Sequence, residues 1–306
     1  MAPDLVCVVI PARDAAATIA RAVRSARAQD HAPLEIIVVD DASRDATAAV
    51  ARALGARVIR LDQRGGAAAA RNVGIAAAHG AIIAFLDADD EWLPGKLRRQ
   101  VALLRADPGT VFVACGARLF GLDGQDRGPL YDGCIPCAGG QSWRGLLARN
   151  TIATSSVVAW RAALQAVAGF DASLPVAEDQ DLWIRLSLHG RLGYLDEPLV
   201  HMHVTPTSVS GVGTPLGAHQ QLRVTLPLIR RHVAQQRGKL SRGEARRILG
   251  ERLARAGRAA YSYEIYGRGL ALVLEASLLG YRPVENLVFL AVASPPARLL
   301  KRWLRR

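Results

Sequence analysis

Three short apolar runs narrow the folds open to this chain more than any other feature. Residues 5–10 (LVCVVI), 34–39 (LEIIVV) and 81–86 (AIIAFL) are rich in branched aliphatics, and the last two end abruptly in carboxylates, Asp40-Asp41 and Asp87-Ala88-Asp89-Asp90. Runs this short and this apolar read as strands covered on both faces, the pattern of a parallel sheet. Between them lie helical patterns at 15–28 and 46–54, the second capped by Ser43 or Asp45, then a strand at 57–61. An alanine-rich helix follows at 67–78 and is ended by His79-Gly80. Strands and helices in alternation predict an α/β, doubly wound, mostly parallel central sheet flanked by helices. A helix is expected near 93–104, and further strands at 111–120 and 155–160. The Gly- and Asp-rich segment 121–140 between those strands is expected to be a mobile loop.

The patterning changes after Gly217. Helices are expected at 218–237, 242–266 and 270–279, with Arg on one side and Leu, Ile and Ala on the other. A short basic amphipathic helix at 297–306 sets Leu299, Leu300, Trp303 and Leu304 on its apolar side. The expected division is therefore an α/β domain over 1–214 and a helical, basic C-terminal extension over 215–306. Charge follows this division. The chain carries +12 overall, and from residue 215 onward it has 18 Lys and Arg against 5 Asp and Glu. The first part is close to neutral, so the basicity says nothing about its ligand. Basic helices with apolar stripes suit an anionic membrane surface, and association with another subunit through those stripes is the competing use. No nucleic acid is expected, because aromatic residues do not interleave with the basic ones.

The N-terminal stretch has no basic leader, and no apolar run approaches the roughly 18 residues of a spanning helix. A cytoplasmic protein is expected, at most peripheral on the cytoplasmic membrane face. Cys7 and Cys115 fall in apolar runs as buried thiols. Cys134 and Cys137 have the spacing of a zinc or redox pair, but no second pair stands nearby to complete a zinc site.

Three clusters carry chemistry. In the first, Asp87, Asp89 and Asp90 close a buried strand, where open α/β sheets bind ligands. Asp-x-Asp supplies two hard oxygen donors for a divalent cation that holds a diphosphate, although an acidic cap for the next helix explains the same residues. In the second, Asp40 and Asp41 end another strand, and an Asp there can accept from a base or a ribose hydroxyl; Asp45 is read as a helix cap. Gly65-Gly66 and Arg71 follow, with Arg71 able to counter a phosphate. The third is Ala177-Glu178-Asp179-Gln180-Asp181-Leu182-Trp183. Leu182, Leu186 and His189 repeat at helical spacing, so the acids occupy a first turn, where they suit the helix dipole. One of them also qualifies as a general base.

In this order the clusters resemble the family 2 glycosyltransferases, which have the GT-A fold. The resemblance spans about residues 5–210 and rests on CVVIPARDAAATIARAVRSA, IIVVDDASRDAT, AARNVGIAAAHGAIIAFLDADDEWLPGKL, NTIATSSVVAWRAAL and AEDQDLWIRLSLHGRLGYLDEPLV. It implies a nucleotide pocket begun by Pro11, Ala12, Arg13 and Asp14, with Asp41 accepting from the base and Asp40 beside it. It implies Asp87 on the ribose or metal, and Asp89 on Mg2+ or Mn2+. Asp179 would be the base that deprotonates an acceptor hydroxyl, supported by Glu178, with Trp183 and Arg185 structural. Two departures stand out. Asp14 replaces a usual Asn, and His203 and Thr205 stand where the family often has Arg and His. His203 is either a metal or phosphate contact or a pocket-lining histidine. The implied function is inverting, metal-dependent transfer from a nucleotide sugar, UDP-linked, to a glycan or lipid-linked acceptor. The alternative is a catalytically inactive nucleotide-sugar-binding scaffold.

Overall fold

The computed structural model describes residues 5–131, 138–205 and 215–293. Cys134, Cys137 and the helix expected at 297–306 lie outside them. The elements of the first part run β1 (Val6–Ala12), α1 (Ile19–Arg27), β2 (Leu34–Asp40), α2 (Thr47–Ala53), β3 (Arg57–Arg60), α3 (Gly66–Ala77), β4 (Ile82–Phe85) and β5 (Glu91–Trp92). They continue through α4 (Lys96–Ala106), β6 (Thr110–Phe120), β7 (Asp126–Pro129), α5 (Ser142–Ala148), β8 (Val158–Trp160), α6 (Arg161–Ala166), α7 (Glu178–His189) and β9 (Arg191–His203).

Among the described residues the strands form one sheet in the order β3-β2-β1-β4-β8-β6-β9-β5, with β7 on β6. The half β3-β2-β1-β4 is parallel throughout, as the apolar runs predict. Beyond it the sheet is mixed: β8 runs antiparallel to β4 and β6, β9 parallel to β6, and β5 antiparallel to β9. Register places Ala12 against Asp40 and Val9 against Phe85. The carboxyl ends of β1, β2 and β4 therefore share one edge, and Arg13, Asp41 and Asp87 are delivered there together.

One face of the sheet is covered by α1 and α4, where Ile19, Ala22, Val23, Leu97 and Val101 are buried with Val8, Ile10, Val38 and Ala84. On α3, Gly74 is what allows the helix to approach β1, since a Cβ there would collide with Val9 Cγ1. The other face receives α7 through Trp183, whose ring stacks on Phe112 (5.9 Å) and meets Phe170 edge-on (6.0 Å).

Some expectations shift. The segment 121–140 contains β7, which folds back on β6 as a hairpin arm. The first helix begins at Ile19, not at 15. The backbone N–H groups of Ala15 and Ala16 are occupied by Thr47 Oγ1 (2.7 Å) and Asp45 Oδ2 (3.0 Å), which holds that turn against the next loop.

The chain divides into two compact units, Met1–Leu146 with Asn150–Ser208, and Leu147–Arg149 with Val209–Arg306. The described helices of the second are α8 (Pro215–Gln220), α9 (Leu226–Gln235), α10 (Arg242–Ser262), α11 (Tyr266–Leu278) and α12 (Pro283–Ala293); a π-helical stretch, Gln221–Thr225, joins the first two. Ser241 opens α10 with a reciprocal capping box to Glu244. The unit has its own core of Leu222, Leu226, Leu253, Ala260, Leu272 and Ala276. Among the described residues no helix is long and apolar enough to cross a membrane.

Candidate active site

The loop after β1 and the loop after β2 are laced together. Asp14 N–H donates to Ser43 Oγ (2.9 Å), Arg44 N–H donates to Asp14 Oδ1 (2.7 Å), and Arg13 Nη1 donates to the Asp41 carbonyl (2.9 Å). Asp14 sits at φ 46°, a left-handed conformation that Asp tolerates, so it serves the turn in place of Asn. Pro11 and Ala12 close β1 directly before this loop.

Asp40 is fully buried, accepts from Ser43 N–H (3.0 Å) and lies 3.5 Å from Arg60. Asp41 accepts from the N–H groups of Gly65 (2.6 Å) and Gly66 (3.0 Å), so its carboxylate caps the start of α3. Asp45 accepts from Thr47 N–H and caps α2, as expected.

Arg71, expected opposite a phosphate, lies buried between two carboxylates. Its Nη2 donates to Asp87 Oδ1 (2.7 Å), its Nη1 to Glu178 Oε1 (2.9 Å), and its guanidinium lies 5.2 Å from the Phe170 ring centre. Burial alone would lower its pKa, but the charges of Asp87 and Glu178 reverse this and raise it. One guanidinium thus holds the end of β4 to the first turn of α7.

Asp89 is crowded. Burial and the neighbouring charge of Asp87 push its carboxyl up to about 6. Asp90, fully enclosed, is raised well above the ordinary range by burial, Asp87 and Asp89, and accepts from Ser155 Oγ (2.5 Å) and His203 N–H (3.3 Å). Ser155 Oγ also accepts from Asp87 N–H (3.0 Å), so this hydroxyl positions the acidic turn. His203 stacks near Phe120, 5.2 Å between ring centres, and burial followed by the Arg21 charge lowers its pKa, leaving the ring neutral at pH 7. Its Nε2 lies 3.9 Å from Glu91 Oε2 and has no hydrogen-bond partner among the described residues. Thr205 Oγ1 stands 3.5 Å from Asp89 Oδ2. Among the described residues no three His, Cys, Asp or Glu side chains close around a metal position.

Asp179 lies in the first turn of α7. Its Oδ2 accepts from Asn150 Nδ2 (3.0 Å) and its Oδ1 from Gln180 N–H (2.6 Å), while burial and then the Glu178 charge raise its pKa to about 6. Arg185 bonds Asp181 Oδ2 and the carbonyls of Val167 and Gly169, fixing the helix, while Trp183 is fully buried.

Residues 7–133 match the family model described as glycosyl transferase family 2. Over these 127 of its 306 residues the chain is similar to glycosyl transferase family 2. Among curated relatives, the succinoglycan biosynthesis protein ExoU of Rhizobium meliloti is 48% identical over 101 residues, 31% of this chain and 29% of that protein. The UDP-Glc:alpha-D-GlcNAc-diphosphoundecaprenol beta-1,3-glucosyltransferase WfgD of Escherichia coli is 36% identical over 103 residues, 33% of this chain and 41% of that one. The matched segments span less than half of these relatives' own length. Among solved structures, the mannosyltransferase PcManGT of Pyrobaculum calidifontis, in complex with GDP-Man and Mn2+, has a TM-score of 0.57 at 19% identity, covering 96% of this chain and 87% of that chain. At that identity the likeness establishes the fold alone.

The fold brings Asp87, Asp89, Arg71, Glu178 and Asp179 to one edge of the sheet, with Asp40 and Asp41 at the end of β2, beyond the intervening β1. Asn150 and Ser155 lie in the stretch NTIATSS that carries part of the resemblance, but sequence patterning assigned neither side chain a role. Only their position beside the acids reveals them as partners of Asp179 and of the acidic turn.

Proposed function

We propose that this protein transfers a sugar from a nucleoside diphosphate sugar, UDP-linked, to a hydroxyl of a glycan or lipid-linked acceptor in cell-surface polysaccharide synthesis. Transfer would invert the anomeric centre, and Asp87 and Asp89 would hold a Mg2+ or Mn2+ ion. The observation that carries this is the Arg71 bridge, because it ties the donor-side carboxylate Asp87 to the turn that presents Asp179.

The donor set fits a hard divalent ion. Burial and Asp87 outweigh the Thr205 and Arg21 contacts that stabilise the Asp89 carboxylate, and a divalent ion held by Asp87 and Asp89 would relieve that crowding with the hard oxygen donors that Mg2+ or Mn2+ prefers. When bound, the ion neutralises charge on the departing diphosphate. His203 offers a neutral Nε2 to the same region, as ligand or as phosphate contact. Asp41 and Asp40 line the nucleotide side with Arg13. Asp179 accepts the acceptor hydroxyl's proton as that oxygen attacks, while Asn150 and the Gln180 N–H hold its carboxylate in place. Base and leaving group stand on different elements, α7 and the end of β4, which suits in-line attack and inversion.

The relatives' names support the class: WfgD names a UDP-Glc donor and a diphosphoundecaprenol acceptor, and ExoU names succinoglycan synthesis. Intact Asp87, Asp89 and Asp179 argue against an inactive scaffold. Calorimetry with UDP, GDP and dTDP, with and without Mn2+, tests the donor site. UDP is expected to bind only with the metal, and Asp89→Asn to abolish that binding. Asp179→Asn is expected to keep donor affinity and lose transfer. A folded sample that binds none of the three nucleotides refutes the reading.

A further inference from the structure

Two consecutive helices of the second unit turn apolar side chains to solvent. On α11, Leu270, Leu274 and Leu278 repeat every fourth residue and are 41%, 39% and 87% exposed. On α12, Val284, Leu287 and Val288 are 72%, 55% and 56% exposed. Both helices are anchored by their opposite sides. Val273 and Ala276 of α11 are fully buried. On α12, Asn286 Nδ2 donates to the Tyr281 carbonyl (2.7 Å), and its Oδ1 accepts from Arg258 Nη2 (2.7 Å). The outward faces therefore belong to packed helices, and aliphatic clusters of this kind mark interaction surfaces.

Charge identifies the occupant. The two acids on these helices are each ion-paired, Glu275 with Arg230 (2.7 Å) and Glu285 with Arg282 (2.9 Å), so they do not oppose an anion. Residues 215–306 carry 18 Lys and Arg against 5 Asp and Glu, and five of those 18, Arg298, Lys301, Arg302, Arg305 and Arg306, follow Ala293 in the sequence. Exposed aliphatic side chains on a segment with this excess of cations match the boundary between headgroups and acyl chains of an anionic bilayer. A second copy of an equally basic unit would bring like charges together.

We propose that the outward faces of α11 and α12 are a docking surface for an anionic lipid bilayer, with the six aliphatic side chains at the headgroup boundary and the cationic excess of residues 215–306 drawn to lipid phosphates. This deepens the proposed function, resting on it only for the purpose of docking: a lipid-linked acceptor resides at such a surface.

The test is flotation of the full chain, without nucleotide, on phosphatidylglycerol/phosphatidylethanolamine vesicles and on pure phosphatidylcholine vesicles. The wild type is expected to float with the anionic vesicles and to be released by salt. The double variant Leu278→Glu, Leu287→Glu is expected to lose at least tenfold in vesicle affinity and to keep its UDP affinity. Leu278→Trp is expected to shift its emission to the blue on anionic vesicles. Wild-type flotation by the double variant, or no spectral shift in the Trp variant, overturns the proposal. So does loss of flotation on deleting 294–306 while the double variant still floats, which moves the anchor to the tail. If the wild type ignores vesicles but self-associates through these leucines, the face joins copies of the chain and the proposal fails. UDP binding is read separately, so failure of the donor site cannot be mistaken for failure of docking.

Discussion

Arg71 concentrates the residue-scale chemistry. Its partners lie 16 and 107 residues away in sequence, at Asp87 and Glu178, and no local pattern could announce them. The acids themselves were legible, because carboxylates ending a buried strand or opening a helix break the surrounding pattern. Replacing Arg71 by Ala leaves Asp87 and Glu178 without their buried counter-charge, and is expected to cost roughly 3–5 kcal/mol. Arg71→Lys keeps the charge but cannot fork to both carboxylates, so it is expected to fold and to transfer poorly. Urea unfolding and turnover of the two variants separate these effects. Asp179 gives a pH prediction. With its pKa near 6, the carboxylate is protonated and unable to accept below that value, so transfer falls as pH drops through about 6. The stability sign is opposite. A carboxyl whose folded pKa exceeds its unfolded value favours the folded state at low pH, and that contribution is lost as pH rises through 6. Asp179→Asn is therefore expected to melt higher than wild type at pH 7.5 and level with it at about pH 4, a cost of function visible by calorimetry. Equal melting at both pH values would show that the carboxylate is not held under strain.

At the scale of elements, the parallel half of the sheet follows from its apolar runs, because a strand covered on both faces declares itself without alternation. The mixed half was harder to see. β9 is thirteen residues long but includes Asp196, Glu197 and Pro198, and its register against β6 shifts around them, so neither a run nor an alternation survives. The short helices α5 and α6 fail for a different reason, since each is too brief to complete an apolar repeat. Gly74 shows how closely the elements fit. It lies within α3, where alanine has the better helix propensity by about 1 kcal/mol. Yet an added Cβ would strike Val9 in the central strand β1. Gly74→Ala is therefore expected to destabilise by about 1–3 kcal/mol despite its local advantage, as overpacking does. It should also weaken donor binding, because α3 carries Arg71 and begins at the glycines capped by Asp41. A variant that is more stable than wild type would show that α3 and β1 separate at little cost.

At the scale of the whole molecule, each unit has a hydrophobic core of its own, one within the sheet and its helices and one among Leu222, Leu226, Leu253 and Leu272. The boundary expected from the sequence is 214/215, whereas the two compact units part at Ser208/Val209, with Leu147–Arg149 joining the second. Two cores predict two unfolding transitions, and ligand linkage can assign them. The residues proposed for the nucleotide side, Arg13, Asp40, Asp41, Arg71, Asp87 and Asp89, all fall within the first unit. A ligand at about 100 times its Kd stabilises the state that binds it by about 2.7 kcal/mol. For a domain of this unit's size, each kcal/mol moves the midpoint by roughly 2–4 °C. Saturating UDP with Mn2+ is thus expected to raise one transition by roughly 5–10 °C and leave the other in place. The Asp89→Asn variant should show neither shift. Anionic vesicles provide the converse perturbation, acting on the transition that UDP leaves unmoved and losing that effect in the Leu278→Glu, Leu287→Glu variant. A single transition that both ligands raise together would mean that the cores melt as one, and that donor and bilayer are read by one cooperative body.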